Sequence, residues 1–260
     1  MNEILNKFEG FIFDLDGTIY RGSKLIDGAK EVFQVLKDLN KKFVFVSNRT
    51  TSTPEKYQEV LNAFGITCKE EQIITSAEVT KNYLIQNHPE EKVFVIGEKI
   101  FIDYLKVNGI EIANHQIDIV LVSLDRTLNF QKILKAQKAL QNGSRFFAAN
   151  IDNTCPVEDT EILDAGFTIA ALENLTNRRL EKNFGKPSKL IVNEILKRID
   201  LPADKCILIG DRLETDILMA KQNGITSVLV LSGVTNENLL WQSHIKPDFV
   251  LKNISELTKD

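Results

Sequence analysis

Residues 10–18 read Gly-Phe-Ile-Phe-Asp-Leu-Asp-Gly-Thr, an apolar run that passes directly into two carboxylates and a glycine. The run Phe11–Phe13 predicts a buried β-strand. Asp14 and Asp16 follow it, and two negative charges so close repel each other unless a cation lies between them. Gly17 lets the chain turn sharply and lets a ligand approach the backbone. The stretch therefore predicts a strand that delivers paired carboxylates to a site; the alternative is an Asp-Gly turn in which Asp16 only accepts backbone N–H groups.

The sequence after this stretch alternates between helix-like and strand-like segments. Apolar residues recur at helical spacing over 32–39, a second apolar strand covers 43–47, and Pro54 begins a helix that ends at Gly65. The order strand, helix, strand, helix is typical of a parallel sheet with helices on both faces.

The same alternation returns near the other end of the chain. There we predict a helix from Pro187, a strand over 206–211, a helix over 215–223 and a strand over 226–231. The middle of the chain has its own set, with predicted strands at 93–96, 118–122 and 145–149 and predicted helices near 98–107 and 130–141.

Two α/β units follow from this distribution. We predict a Rossmann-like, doubly wound parallel sheet formed by residues 1–77 and 181–260. A smaller α/β domain is inserted at 78–180. No Pro/Gly-rich linker marks the two boundaries.

Further polar residues stand at predicted strand ends or helix starts, and ligands of open parallel sheets bind outside the carboxyl ends of the strands. Ser47 and Asn48 offer a hydroxyl and an amide that can hold phosphate oxygens, although Ser-Asn is also ordinary turn and N-cap chemistry. Lys186, in Gly-Lys-Pro-Ser, precedes a predicted helix and can direct its ammonium at the aspartates; the alternative is a solvated lysine.

The last such motif is Gly-Asp-Arg-Leu-Glu-Thr-Asp, which places Asp211 at a strand end and Asp216 in the next helix. Acidic residues there also favour the helix dipole, which is the alternative reading. Together with the first two aspartates, they provide four carboxylates for a hard cation, and Mg²⁺ prefers oxygen ligands. The pattern predicts a magnesium site.

Taken in order, the four motifs resemble those of the haloacid dehalogenase (HAD) superfamily, over essentially the whole chain. The inserted middle segment is similar to the α/β cap of its class IIA branch, the para-nitrophenylphosphatase or NagD-like phosphatases. Local matches at 16–22, 122–126 and 231–234 support the branch. The resemblance implies a core domain with an inserted cap domain.

The resemblance also implies roles for individual residues. Asp14 would be the nucleophile that forms a phospho-aspartate, and Asp16 would protonate the leaving oxygen and then activate water. Ser47 and Asn48 would hold phosphate oxygens. Lys186 would stabilise charge on the nucleophile and on the phosphoryl group.

Mg²⁺ would be held, by the same resemblance, by the Asp14 side chain, the Asp16 backbone carbonyl and Asp211. Asp216 would support the metal or orient the lysine. The expected activity is Mg²⁺-dependent hydrolysis of a small phosphorylated metabolite.

The chain departs from the branch at two places. Arg49 stands where the branch often has a second asparagine. Two readings are open: it adds positive charge for an anionic leaving group, or it merely lies on the surface. Asn150-Ile151-Asp152 replaces Asn-Pro-Asp in the cap. Asn150 and Asp152 are our candidates for substrate contacts from the cap.

Composition excludes several other classes of protein. A net charge of −4 and a pI near 5.6 provide no basic field for nucleic acid. The cysteines, Cys68, Cys155 and Cys206, form no Cys-x-x-Cys motif, which argues against a zinc site and favours a reducing cytoplasm. No apolar run approaches 18 residues, so we expect no membrane span. A homodimer is possible by analogy.

Other functions remain open on the same motifs. A phosphotransferase or mutase shares every one of them and differs only in the acceptor. A catalytically inactive module that binds a phosphorylated ligand is the alternative from a different class. An oxidoreductase of the Rossmann type is excluded because no G-x-G-x-x-G occurs.

Overall fold

The structure, a computed structural model, describes residues 3–156 and 160–259. Within these ranges fourteen strands and ten α-helices follow one another along the chain. The strands are β1 (Gly10–Asp14), β2 (Tyr20–Arg21), β3 (Lys24–Leu25), β4 (Lys42–Ser47), β5 (Ile73–Thr75), β6 (Val93–Ile96), β7 (Ile119–Val122), β8 (Arg145–Ala148), β9 (Thr154–Pro156), β10 (Glu161–Leu163), β11 (Lys182–Asn183), β12 (Cys206–Gly210), β13 (Thr226–Val230) and β14 (Phe249–Leu251). The helices are α1 (Glu3–Lys7), α2 (Ala29–Asp38), α3 (Pro54–Ala63), α4 (Ser76–Asn87), α5 (Lys99–Val107), α6 (Phe130–Gln141), α7 (Ala165–Thr176), α8 (Lys189–Ile199), α9 (Leu218–Gln222) and α10 (Glu237–Gln242).

The larger sheet has six parallel strands in the order β14-β13-β12-β1-β4-β5. Successive side chains of β1 point to opposite faces, as in any strand. Phe11 and Phe13 pack with Phe33 of α2, whereas Ile12 packs with Ile195 of α8 on the other face. Helices therefore cover both faces, which confirms the predicted doubly wound sheet.

The smaller sheet has four parallel strands in the order β11-β8-β7-β6. Helices α6 and α7 pack together and cover one of its faces. Its other face shares one hydrophobic cluster with the larger sheet, in which Val95 and Leu121 join Ile12 and Ile195. The strand β11 lies just beyond the predicted limit of the inserted domain at 180 and still pairs with β8. The division of the chain into domains stays a prediction.

One predicted helix starts later than we expected. Helix α8 begins at Lys189, and its N-cap is Ser188, whose hydroxyl accepts the N–H of Ile191 at 3.5 Å. Pro187 therefore precedes the helix instead of opening it. A serine cap satisfies an N–H group that the first turn leaves unpaired.

The predicted helix over 215–223 divides into two parts. A π-helical turn, Leu213–Ile217, comes before α9. A carboxylate oxygen of Asp216 accepts the N–H of Arg212 at 3.1 Å, and this bond ties the wide turn back to the end of β12. Such turns are rare in proteins as a whole, but those that occur are often at functional sites. Hydrophobic periodicity alone does not predict them.

Candidate active site

The carboxyl ends of β1, β4 and β12 lie side by side at one edge of the larger sheet. The register of β1 against β4 pairs Asp14 with Val46, next to Ser47. Asp211 directly follows β12, which pairs with β1 on its other side. Three motifs that are far apart in the sequence therefore meet at one place, as expected of a parallel sheet.

The ammonium of Lys186 lies between two carboxylates at this edge. Its Nζ donates to Asp14 Oδ1 at 2.5 Å and to Asp216 Oδ1 at 2.7 Å, and all three side chains are buried. Burial raises the pKa of Asp14 to about 7; Lys186 opposes this rise and Asp216 adds to it. Burial alone would lower the pKa of Lys186, but the two carboxylates raise it above its usual range, so the lysine is charged.

Asp211 completes a group of three buried carboxylates. One oxygen each from Asp14, Asp211 and Asp216 lies within 4.8 Å of the others. Burial raises the pKa of Asp211 well above its usual range, and repulsion from the other two carboxylates adds to the rise. Its Oδ2 accepts the N–H of Val234 at 2.7 Å. When all three carboxylates are ionised, the single ammonium of Lys186 does not balance their charge, so the group favours binding of a further cation.

Two glycines give Asp211 the space it occupies. A Cβ on Gly17 or on Gly233 would overlap Asp211 Oδ2, so no other residue fits at either position without displacing the carboxylate. Gly17 also has a φ of +88°, in the left-handed region that favours glycine. Oxygen ligands held in this way suit a hard divalent cation such as Mg²⁺. The residues present therefore fit a magnesium ion.

Asp16 lies outside that group of three carboxylates but lines the same cavity as Asp14 and Asp211. Its Oδ1 lies 3.3 Å from Arg49 Nη2. Burial raises the pKa of Asp16, and the guanidinium of Arg49 opposes the rise. Next to them, the hydroxyl of Ser47 lies 3.1 Å from that of Tyr57 and accepts the N–H of Arg49 at 3.2 Å. Arg49 therefore lies in the wall of the site, and the surface position that we considered for it is wrong.

The side chain of Asn48 has protein partners on both of its polar atoms. Its Oδ1 accepts the N–H of Lys186 at 2.6 Å. Its Nδ2 donates to the carbonyl oxygen of Lys186 at 3.2 Å and to Asp152 Oδ2 at 2.8 Å. The amide thus connects β4, the segment before α8 and the loop after β8.

The loop from 150 to 155, which follows β8 of the smaller sheet, makes further contacts with residues at the edge of the larger sheet. Arg212 Nη2 donates to the carbonyl oxygen of Thr154 at 3.0 Å, and Arg49 Nη2 lies 3.6 Å from Cys155 Sγ. Within the loop, Asn150 Nδ2 donates to Asp152 Oδ2 and to Asp164 Oδ1, each at 3.0 Å. The loop therefore lies against Asn48, Arg49 and Arg212, beside the carboxylates.

Two cavities meet beside Asp16, Arg49 and Asp211. The smaller, of about 50 Å³, also reaches Asp14 and Lys186, together with the loop of the inserted domain. The larger has a volume of about 230 Å³. Its other lining residues are Gly17, Tyr20, Arg21, Gly22, Glu161, Gly233 and Val234.

Comparisons with known families agree with this geometry. Residues 11–111 match a family described as haloacid dehalogenase-like hydrolase, and residues 183–257 match a second, HAD-hydrolase-like family. The chain belongs to the haloacid dehalogenase-like hydrolases. The two matches contain all four predicted core motifs and leave most of the inserted domain between them.

Individual relatives of this HAD hydrolase are phosphatases. Sugar-phosphatase AraL of Bacillus subtilis (strain 168) is 35% identical over 252 residues, which cover 96% of this chain and 92% of AraL. The 4-nitrophenylphosphatase of Thermotoga maritima has a TM-score of 0.92 at 33% identity, over 99% of both chains. NagD from E. coli K-12 has a TM-score of 0.84 at 26% identity, over 96% of this chain and 98% of NagD. The chain is a phosphatase of the NagD-like branch, as the resemblance predicted.

The HAD hydrolase fold brings the predicted core residues together. Asp14, Asp16, Lys186 and Asp211 line the smaller cavity with Ser47, and the predicted cap residue Asp152 lines it too. Asp216 lies behind Lys186, and Asn150 is buried behind Asp152. None of the helices in the described ranges combines the length and apolar character needed to cross a bilayer.

Sequence reasoning missed Arg212, Asp164 and Tyr57. Arg212 was visible only as the residue after Asp211, and an arginine there carries no signal of its own. Asp164 acts as the N-cap of α7 and faces the loop of the inserted domain. Tyr57 lies on the buried face of α3, where an aromatic residue normally indicates only packing.

Proposed function

We propose that the chain hydrolyses phosphomonoesters of small metabolites, sugar phosphates among them, through a phospho-aspartate on Asp14 with Mg²⁺ bound beside it. The observation that carries the proposal is the buried contact of Lys186 Nζ with Asp14 Oδ1 at 2.5 Å, at the wall of the cavity. The charge of Lys186 favours the ionised form of Asp14, because it opposes the effect of burial on the pKa of that carboxyl. The similarity to sugar-phosphatase AraL supports the substrate class.

The chemistry takes place in two displacements. A carboxylate oxygen of Asp14 attacks the phosphorus, the bond from phosphorus to the ester oxygen breaks, and Asp16 gives its proton to the departing alcohol. Water then attacks the phosphorus, Asp16 takes a proton from it, and orthophosphate leaves as the Asp14 carboxylate is restored. Lys186 offsets charge on Asp14 and on the transferring group in both displacements.

The metal and the phosphate have separate protein groups. Asp14, Asp211 and the main-chain carbonyl of Asp16 would hold Mg²⁺, which when bound offsets the charge of the nucleophile and of the phosphoryl group. Asp216 orients Lys186, with a hydrogen bond of 2.7 Å. The Ser47 hydroxyl and the main chain at Asn48 are the proposed phosphate ligands, since the Asn48 side chain has protein partners.

The inserted domain acts as a cap that excludes water and bulky esters from the phosphoryl site. The buried Asn150 Oδ1 has no hydrogen-bond partner among the described residues, but Asn150 lines neither cavity, so its contact with substrate stays a prediction. The leaving group would occupy the cavity of about 230 Å³. We also expect a cytoplasmic protein, since none of the three cysteines forms a disulfide. A homodimer stays a prediction that light scattering can test.

Hydrolysis of 4-nitrophenyl phosphate tests the proposal. Wild type should need Mg²⁺ and lose activity in EDTA, and Asp14→Asn should lose at least about a thousandfold in kcat, as enzymes do without their nucleophile. The matched control is Asp27→Asn, an exposed aspartate outside the site, which should behave as wild type. Full activity of Asp14→Asn would refute the mechanism. Adding alcohol acceptors distinguishes hydrolysis from transfer, because a phosphotransferase would form new esters.

A further inference from the structure

Asn48 is the residue that joins the cap to the catalytic lysine. An asparagine amide has two N–H groups and one carbonyl oxygen. The N–H groups go to Lys186 O and to Asp152 Oδ2, and the oxygen accepts from Lys186 N. Asn48, Asp152 and Lys186 are all at least nine-tenths buried, so water does not compete for these bonds. Both Asn48 N–H groups are thus in hydrogen bonds, one to the cap at Asp152 and one to the main chain of Lys186.

The segment on the Lys186 side has little freedom to move independently of this amide. A Cβ on Gly185 would lie 2.5 Å from Asn48 Oδ1 and 2.8 Å from the carbonyl oxygen of Ala149, so the backbone passes closely between the core and the cap. The main chain of Lys186 is held at both its N–H and its carbonyl by the one side chain. Turning the Asn48 amide would therefore shift the origin of the Lys186 side chain.

The cap side of the connection is also fixed. Asp152 Oδ2 accepts a second bond from Asn150 Nδ2, which itself donates to Asp164 Oδ1 at the start of α7. The orientation of the Asn48 amide thus depends on a carboxylate that is anchored to the cap. Opening the cap would move Asp152 away and remove one of the three bonds that hold that amide.

We propose that Asp152 is a positioning residue. By accepting a hydrogen bond from Asn48 Nδ2, it fixes the orientation of the Asn48 amide and, through that amide, the position of the Lys186 main chain. The lysine side chain then reaches Asp14 when the cap is closed. The sequence reading of Asp152 as a substrate contact predicts a change in substrate ranking instead. The kinetic consequence rests on the proposed function, in which Lys186 acts on Asp14 and the phosphoryl group.

Steady-state kinetics on 4-nitrophenyl phosphate separates the two roles of Asp152. Asp152→Ala should lower kcat by between about 10-fold and 100-fold, as small misplacements of catalytic groups do, with KM little changed. Asp152→Asn keeps an oxygen that can accept from Asn48 and should restore most of kcat. Asp103→Ala, at a half-buried aspartate on cap helix α5 away from the site, is the control and should match wild type. A rise in KM without loss of kcat would overturn the proposal.

The double variant gives the sharper arm of the kinetic test. If Asp152 acts only through Asn48, then Asn48→Ala combined with Asp152→Ala should be no slower than Asn48→Ala alone. Losses in kcat that multiply would show that the two residues act independently, and the proposal would be wrong.

Amide hydrogen exchange tests the connection without any catalysis. The N–H of Lys186 is buried and bonded to Asn48 Oδ1, so it should exchange slowly in wild type. Asp152→Ala should speed its exchange, while Asp152→Asn and Asp103→Ala should not. Unchanged exchange in Asp152→Ala would overturn the proposal even if the enzyme is active. An inactive wild type would instead contradict the proposed function, and exchange would still decide the connection.

Discussion

Replacing Lys186 by methionine would remove the ammonium that contacts both Asp14 and Asp216. Methionine keeps most of the apolar stem, so the change mainly removes the charge. Two buried carboxylates would then face each other without the cation between them. We expect a less stable protein that no longer hydrolyses phosphate esters.

The size of the effect follows from burial. The side chain of Lys186 is 4% exposed and that of Asp216 is 0% exposed, so solvent barely screens the contact. Removing one partner of a buried ion pair costs about 3–5 kcal/mol, because the charge left behind is uncompensated. For a chain of this size that corresponds to a fall in melting temperature of roughly 6–20 °C.

Thermal melting in EDTA measures this without a contribution from bound metal. The control is Lys221→Met, which breaks a contact of the same 2.7 Å length with Asp248, at side chains that are 44% and 36% exposed. An exposed pair is worth at most about 1 kcal/mol, so this variant should melt within roughly 4 °C of wild type. Equal melting temperatures for the two variants would refute the claim that Lys186 holds buried charges together.

Two further predictions concern Asp211. Asp211→Asn removes one of three crowded buried carboxylates, so the variant should have a higher melting temperature than wild type in EDTA. It should also lose the rise in melting temperature that MgCl₂ gives wild type. Thermal melts with and without MgCl₂ check this, and a full rise in the variant would exclude Asp211 as a metal ligand. Gly233→Ala puts a methyl group onto Asp211 Oδ2 and should lower kcat by about tenfold or more. Gly109→Ala is its kinetic control: a Cβ there meets nothing within 4 Å, and its φ of +85° strains the backbone without touching the site. Equal kcat values for the two variants would contradict the crowding argument.

The sequence was sufficient to predict the core fold and the residues that meet at its edge. Apolar runs such as Phe11–Phe13 end in carboxylates, and in a parallel sheet such ends share one edge. Parallel topology therefore places Asp14 near Asp211 without any knowledge of tertiary contacts. The position of Lys186 followed from the resemblance to the family, since a lysine before a helix is normally solvated.

The contacts between cap and core could not be predicted in this way. Asn48 and Asp152 are 104 positions apart, and no periodicity links an asparagine after a strand of one sheet to an aspartate after a strand of another. We predicted a phosphate-binding role for Asn48 from its residue type alone. An asparagine amide can donate to a phosphate as readily as to a carboxylate. Only the geometry shows that both donors face protein groups.

The charges around the smaller cavity give the order in which the site can be filled. The cavity is lined by five carboxylates, with that of Asp216 behind it, and by the three cationic side chains Arg49, Lys186 and Arg212. With all six carboxylates ionised, the formal charge is −3. A phosphate dianion entering such a site would meet strong repulsion, because little solvent screens it. A divalent cation would bring the formal charge to −1, so its binding should make phosphate binding more favourable. By linkage, phosphate should strengthen metal binding by the same factor. The acidic wall that destabilises the free protein is thus what makes metal and substrate bind together.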